Sequence, residues 1–455
     1  MGIKQLKITV SDLQEGMYVS KLDRPWTQTP FPLQGFHIRS IKEIEELTHY
    51  CRYVFVDVLK SNTGGENIRF TLANPVPVKK KTEQEDRADL GQVYVQVAPI
   101  TVRREIYQSR VPLKKEKRLA EKFHSEVTSA VKEVFQYIGE GRPLRYQQAK
   151  EASRKMVDSI IKNPDAFAWL SRIKEKDEHT YSHSVRSSIW ATLFGRHIGL
   201  TVQELEDLAL GVLLKDVGKI KLEKSLWDLT CLSGLKLEAG KKFIKHSVDI
   251  LSNTDGVSPR VISVVKHHQE RHNGSGFPEG IKGDKIPLLG KLAGIVSCYD
   301  EITNPRAQKP LSPTKAIAKL YQTIDVGFQQ DIVLEFIKAI GLYPTGTLVE
   351  LTTGDIGVVI EQNEERRLRP KVMLLIDGNN QRYKRPPIID LCLDAVSVGS
   401  PDAFGKKRGR YPEIDIKRDL EPDAYDIDIA SIRDEHTFSF WGVTKLGMTK
   451  LGNSR

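Results

Sequence analysis

Histidines, carboxylates and cations crowd into five short stretches of this 455-residue chain: DEHTYSHS (177–184), LLKDVGK (213–219), KHSVD (245–249), VKHHQERHNGSGFPEG (265–280) and SCYDEITNPRAQK (297–309). Imidazoles and carboxylates drawn from separate helices in register are how helical folds assemble metal sites. His179 and His183 are four apart, so a helix would place them on one face, able to share a ligand. The segment HNGSGFPEG reads as a tight loop whose glycines let backbone approach a ligand closely.

The elements that must hold these groups are mostly helical. Between residues 141 and 340, apolar side chains recur at three- and four-residue spacing over 145–162, 165–175, 179–198, 202–214, 240–251, 258–268, 313–324 and 331–340. Asn163-Pro164 and Ser312-Pro313 are helix-start signals. Upstream, residues 1–75 read as a small α+β module. Residues 5–10 and 53–58 are β-like, a helix follows the candidate cap Ser40, and Trp26, Phe31 and Phe36 form a candidate core. Residues 76–140 read as a charged linker ending in a helix of about 113–139, its basic face solvated. Residues 344–396 turn β-like, with a hairpin turn expected at Asp377-Gly378-Asn379-Asn380. Residues 397–455 are polar and weakly patterned, as in a tail.

The net charge of +10 excludes an acidic solvating protein and leaves phosphorylated ligands, nucleic acid or a membrane surface open. Residues 76–120 carry 11 basic against 6 acidic side chains, so half of the excess sits in the charged linker. No aromatic interleaving or helix-turn-helix spacing accompanies those charges, so DNA is not expected. The four cysteines form no CxxC pair or framework, and MGIKQLKITV has no apolar signal core. A reducing, cytoplasmic setting without a membrane span is therefore expected.

The five stretches, in this order and spacing, resemble the HD-GYP family of cyclic di-GMP phosphodiesterases. The resemblance covers 141–343, and ITVSDLQEGMYVSKLDRPWTQTPFPLQGF resembles the small module that often precedes such domains. It implies a mostly α, HD-superfamily helical domain between the α+β module and the β-rich extension. It also implies a cluster of metals, often iron or manganese, that activates water against a phosphodiester.

On the family pattern, His183, Asp216, His246 and His268 match metal ligands, and His179 stands where some members carry an extra one. Asp216 and Lys219 match the catalytic His-Asp and lysine motif. Gly276 and Phe277, with Pro278, match the Gly-Tyr-Pro signature. Arg306 and Lys309 match the cations that hold the substrate's phosphates. Three ligand positions differ: the histidine of the His-Asp pair reads Lys215, the second of the paired histidines reads Gln269, and the last aspartate reads Ser297. A lysine ammonium has no lone pair. It can instead fill the space of a missing metal, pair with Asp216 and present charge to a phosphate.

These changes imply a degenerate member with hydrolysis impaired. It would act as a receptor for cyclic di-GMP or a related phosphorylated small molecule, or through a signalling-protein partner, with at most one divalent metal. An active phosphodiesterase with remodelled ligands is the competing expectation. Homo-oligomerisation is left open.

Overall fold

In the computed structural model, most of residues 5–61, 97–172, 179–222, 237–392 and 414–427 are described. The candidate cap Ser40, residues 76–96 of the expected 76–140 linker and charged helix, and most of the expected tail lie outside the described residues. The chain divides into two units, Met1–Gln92 and Val93–Arg455.

In the first unit, β1 (Gln5–Thr9), β2 (Tyr18–Leu22), β3 (Phe36–His37) and β4 (Tyr53–Asp57) form an antiparallel sheet of order β1-β4-β2-β3. Helix α1 (Ile41–Tyr50) enters between β3 and β4. Val54 and Val56 alternate inward on β4, the period-two pattern of a half-buried strand. Phe31 and Phe36 are buried and Trp26 meets both edge-on, so the aromatic trio serves as core.

The second unit opens with α2 (Leu113–Gly139), which has the bounds its sequence pattern predicts. It is more than a solvated linker helix. Val127, Val131, Val134 and Phe135 are buried, and the helix packs on α3 (Tyr146–Lys162), α4 (Pro164–Leu170) and α5 (His179–Ile198). Those residues recur at three- and four-residue intervals beneath the basic face. Asn163 caps α4 by accepting from Asp165 N and Ala166 N, with Pro164 in the first turn.

Helices α6 (Val202–Leu214), α7 (Leu237–Ser252), α8 (Pro259–His267), α9 (Leu288–Thr303), α10 (Pro313–Gln322) and α11 (Gln330–Ile340) complete the helical part. α9 is absent from the elements read in the sequence, although its residues 297–303 belong to one of the chemical stretches. Twelve of its sixteen residues are buried, so it presents no amphipathic stripe.

The chain then forms an antiparallel sheet of order β8-β7-β6-β5-β9 from β5 (Leu348–Leu351), β6 (Ile356–Glu361), β7 (Lys371–Ile376), β8 (Ile388–Asp390) and β9 (Ile416–Asp419). The expected turn follows β7, with Asn380 N donating to Asp377 O and Asn380 at φ +66°. β9 comes from the stretch read as tail. Backbone pairing to β5 and the buried Arg369, 3.0 Å from Asp415, hold it there rather than an apolar pattern.

Candidate active site

α6 begins with a full capping box between Thr201 and Glu204 and runs with nine buried residues to Leu214. There the chain tightens into a short 3-10 turn over Val217–Lys221. Ser247 of α7 fixes this turn: its hydroxyl accepts from Gly218 N at 2.8 Å and donates to Lys215 O at 3.0 Å. A Cβ at Gly218 would stand 2.1 Å from Phe243 O, so only glycine lets α7 come this close. Lys215, Asp216 and Lys219 are thereby presented together, each buried.

Opposite them, α5 supplies His183 and Arg186, and α9 supplies Asp300. Arg186 grips Asp300 with two nitrogens, Nε to Oδ1 at 2.8 Å and an Nη to Oδ2 at 3.1 Å. Asn304 Nδ2 donates to Oδ1 at 3.1 Å. His183 Nδ1 lies 2.8 Å from Oδ2. Burial alone would raise the Asp300 carboxyl, but Arg186 and His183 hold it well below the usual carboxylate range. An ionised carboxylate only accepts, so the His183 proton is assigned to Nδ1, and Nε2 keeps its lone pair.

That lone pair faces Lys215. Lys215 Nζ stands 2.8 Å from His183 Nε2 and donates to Asp216 Oδ2 as well. His183 Nε2 and Asp216 Oδ2 are themselves 3.7 Å apart, with the ammonium bridging them. Lys219 Nζ lies 2.9 Å from Asp216 Oδ1. Burial would raise the Asp216 carboxyl; Lys215 and Lys219 hold it well below its ordinary value instead. Burial and the Lys215 charge push His183 down to about 4, so the imidazole is neutral near pH 7. Burial also lowers Lys215, with Asp216 opposing the shift.

His268 caps the end of α8 and is fully buried. Its Nδ1 is 2.8 Å from Val265 O, which leaves the Nε2 lone pair inward and without a hydrogen-bond partner. Burial and then the Lys215 charge push it down to about 3.

The other positions singled out in the sequence fall elsewhere. His246 is half-buried on α7 and makes no hydrogen bond or ion pair within the described residues. His179 opens α5, but its side chain lies outside the described residues. Gln269 Oε1 accepts from Arg271 at 2.9 Å, and the Ser297 hydroxyl folds back onto Ala293 O at 2.7 Å. Phe277 packs with Phe243 and Ile244 as a core residue. A Cβ at Gly276 would meet Arg271 N at 2.3 Å, which accounts for that glycine by packing. Arg306 and Lys309 are exposed on the loop after α9.

Sequence reasoning missed Arg186, Asp300 and Glu301. Glu301 Oε1 lies 4.0 Å from His183 Nε2, and its charge acts on Lys215. The available signal was two adjacent acids inside the apolar run LAGIVSCYDEI.

A divalent cation does not fit this arrangement. Its natural donors, His183 Nε2 and Asp216 Oδ2, are both engaged by the Lys215 ammonium, while the buried His268 Nε2 keeps a lone pair without a hydrogen-bond partner. Among the described residues, no three His, Cys, Asp or Glu side chains converge as metal ligands. No helix among them is long and apolar enough to cross a membrane.

Three family models match in succession: a domain of unknown function over residues 5–149, an HD domain over 170–326, and a KOW domain associated with HD domain over 348–394. The chain is 26% identical to cyclic di-GMP phosphodiesterase PA4108 of Pseudomonas aeruginosa over 85% of its own length and 88% of that protein. It is 25% identical to cyclic di-GMP phosphodiesterase PdeB of Borreliella burgdorferi, covering 43% of this chain and 52% of that one. A solved structure of Bd1817, a HDG"Y"P protein from Bdellovibrio bacteriovorus, aligns with a TM-score of 0.42 and 16% identity, covering 73% of this chain and 98% of that one. The HD domain model spans the charged cluster and the KOW model covers the C-terminal sheet, so this chain carries an HD domain and is similar to cyclic di-GMP phosphodiesterases.

Proposed function

We propose that this chain is a cyclic di-GMP signalling protein whose domain over 141–343 binds the nucleotide but has lost efficient hydrolysis. One observation carries the reading: the Lys215 ammonium bridges His183 Nε2 and Asp216 Oδ2. Metal-assisted hydrolysis needs a cation to lower the pKa of bound water. An ammonium neutralises Asp216 but polarises no water in that way. What remains is phosphate recognition. Lys219 is buried beside Asp216, while Arg306 and Lys309 are exposed on the loop that follows α9. Lys215 replaces part of the charge that a metal would supply. The protein acts in the cytoplasm as a receptor that passes nucleotide occupancy to a signalling partner.

The test is calorimetry with cyclic di-GMP beside a hydrolysis assay on the full chain. Binding without linear product is expected. Robust turnover with bound manganese or iron would overturn the reading.

A second reading, an active phosphodiesterase with a remodelled site, draws on His268 Nε2, a buried lone pair with no partner. It also draws on relatives named as phosphodiesterases. It requires Lys215 to leave His183.

A further inference from the structure

The loop that carries Arg306 and Lys309 is held at both ends. At its start, Asn304 ends α9 and donates to Asp300, the carboxylate that also orients His183. Leu311 N donates to Ile302 O and folds the loop back on α9. At its far end α10 begins, and Ser312 occupies the cap position. Ser312 makes no capping hydrogen bond with its side chain.

The cap comes instead from the C-terminal strand. Asp419, on β9, accepts from Thr314 N at 2.8 Å with one oxygen and from the Thr314 hydroxyl at 2.5 Å with the other. This carboxylate lies 105 residues away in sequence, yet it meets the free N–H groups and the positive end of the helix as a local cap would. Its own position is fixed. Asp419 pairs with Val349 of β5, and Leu420 N donates to Leu348 O at 2.9 Å.

We infer that Asp419 is a positioning residue for nucleotide binding: the C-terminal sheet, through β9, sets the conformation of the loop that presents Arg306 and Lys309 to phosphate. The inference rests on the receptor reading above, in which those two cations meet the ligand. It gives the C-terminal extension a definite task at the site, as the clamp that closes the α9–α10 loop.

The experiment measures cyclic di-GMP affinity of the full chain by calorimetry and hydrogen exchange of residues 304–318 by mass spectrometry. Asp419→Ala should weaken affinity about fivefold, the size of one lost helix cap, and should speed exchange in the loop and first turn of α10. Thr314→Val should act in the same direction. In an Arg306→Ala/Lys309→Ala background, Asp419→Ala should change affinity no further, because the cations it positions are gone. Lys315→Ala, which removes the neighbouring exposed pair with Glu421, should leave affinity unchanged. If Asp419→Ala does not fold, the isosteric Asp419→Asn keeps the readout.

Wild-type affinity in the Asp419 variants, with Arg306→Ala/Lys309→Ala clearly weakened, would sink the positioning role and leave the receptor reading standing. Wild-type affinity in Arg306→Ala/Lys309→Ala would remove the loop from the binding site, and the inference with it.

Discussion

The buried cluster has two unlike sides. On α5 and α9, charge is met by charge: Arg186, Asp300 and His183 are joined by contacts of 2.8 to 3.1 Å, and Lys215 continues the chain to Asp216. On α7 and α8, the histidines stand apart. His268 keeps a buried, unpartnered Nε2, and His246 is half-buried and outside the network. The first side is built around a resident cation that is covalently part of the chain. The second still carries a donor of the kind an exchangeable cation would use. The contrast shows that a buried ammonium can satisfy the histidine and carboxylate beside it while a neighbouring buried imidazole keeps an unpartnered nitrogen.

The largest effect is expected on the satisfied side. Asp300→Ala would leave the Arg186 guanidinium buried and unpaired and free the His183 ring. Breaking one partner of such a buried pair costs about 3–5 kcal/mol, so urea denaturation should show a loss of that order. A loss under about 1 kcal/mol would mean that water replaces the carboxylate and that the side is less tightly coupled than its distances imply.

Acid should separate the sides next. His183 and His268 are pushed down to about 4 and about 3, below the ordinary value of about 6.5. Between those values the unfolded chain binds protons that the native imidazoles refuse. Stability is therefore full above about pH 6.5 and falls as the pH drops toward 4, by up to about 1.4 kcal/mol per pH unit for each histidine. Asp216 and Asp300 are held low, so their contribution persists above the unfolded carboxylate value near 4 and is lost only at lower pH. Urea midpoints from pH 7 to 4.5 would measure the first loss. His268→Gln should roughly halve its slope, and an unchanged slope would place the titration elsewhere.

The smallest effect belongs to His246→Ala. With no partner to lose, it should change stability by no more than about 0.5 kcal/mol and leave nucleotide affinity untouched. A clear loss of affinity would bring α7 into the site after all.

Much of this architecture was legible in the sequence, and its limits follow from physics. The bounds of α5 and α6 follow directly from their apolar spacing. The pairing of Lys215 with Asp216 was expected from their adjacency and chemistry. α9 escaped because a helix buried all round has no polar face to set its period. The pairing of Arg186 with Asp300 escaped because partners 114 residues apart leave no local trace of each other, even though the adjacent acids Asp300 and Glu301 stand out in their apolar run. β9 escaped because Ile416–Asp419 is an edge strand held by backbone pairing and by Arg369, not by alternating apolar residues.

On the proposed reading, the Lys215 ammonium takes the place of a metal shared by His183 and Asp216. Metal content of the purified full chain after incubation with manganese or ferrous iron tests it most directly, compared with Lys215→His under the same conditions. Substoichiometric metal and no linear product from cyclic di-GMP are expected in the wild type, with metal content rising in Lys215→His. A wild-type chain that holds two metals and turns over cyclic di-GMP would contradict it.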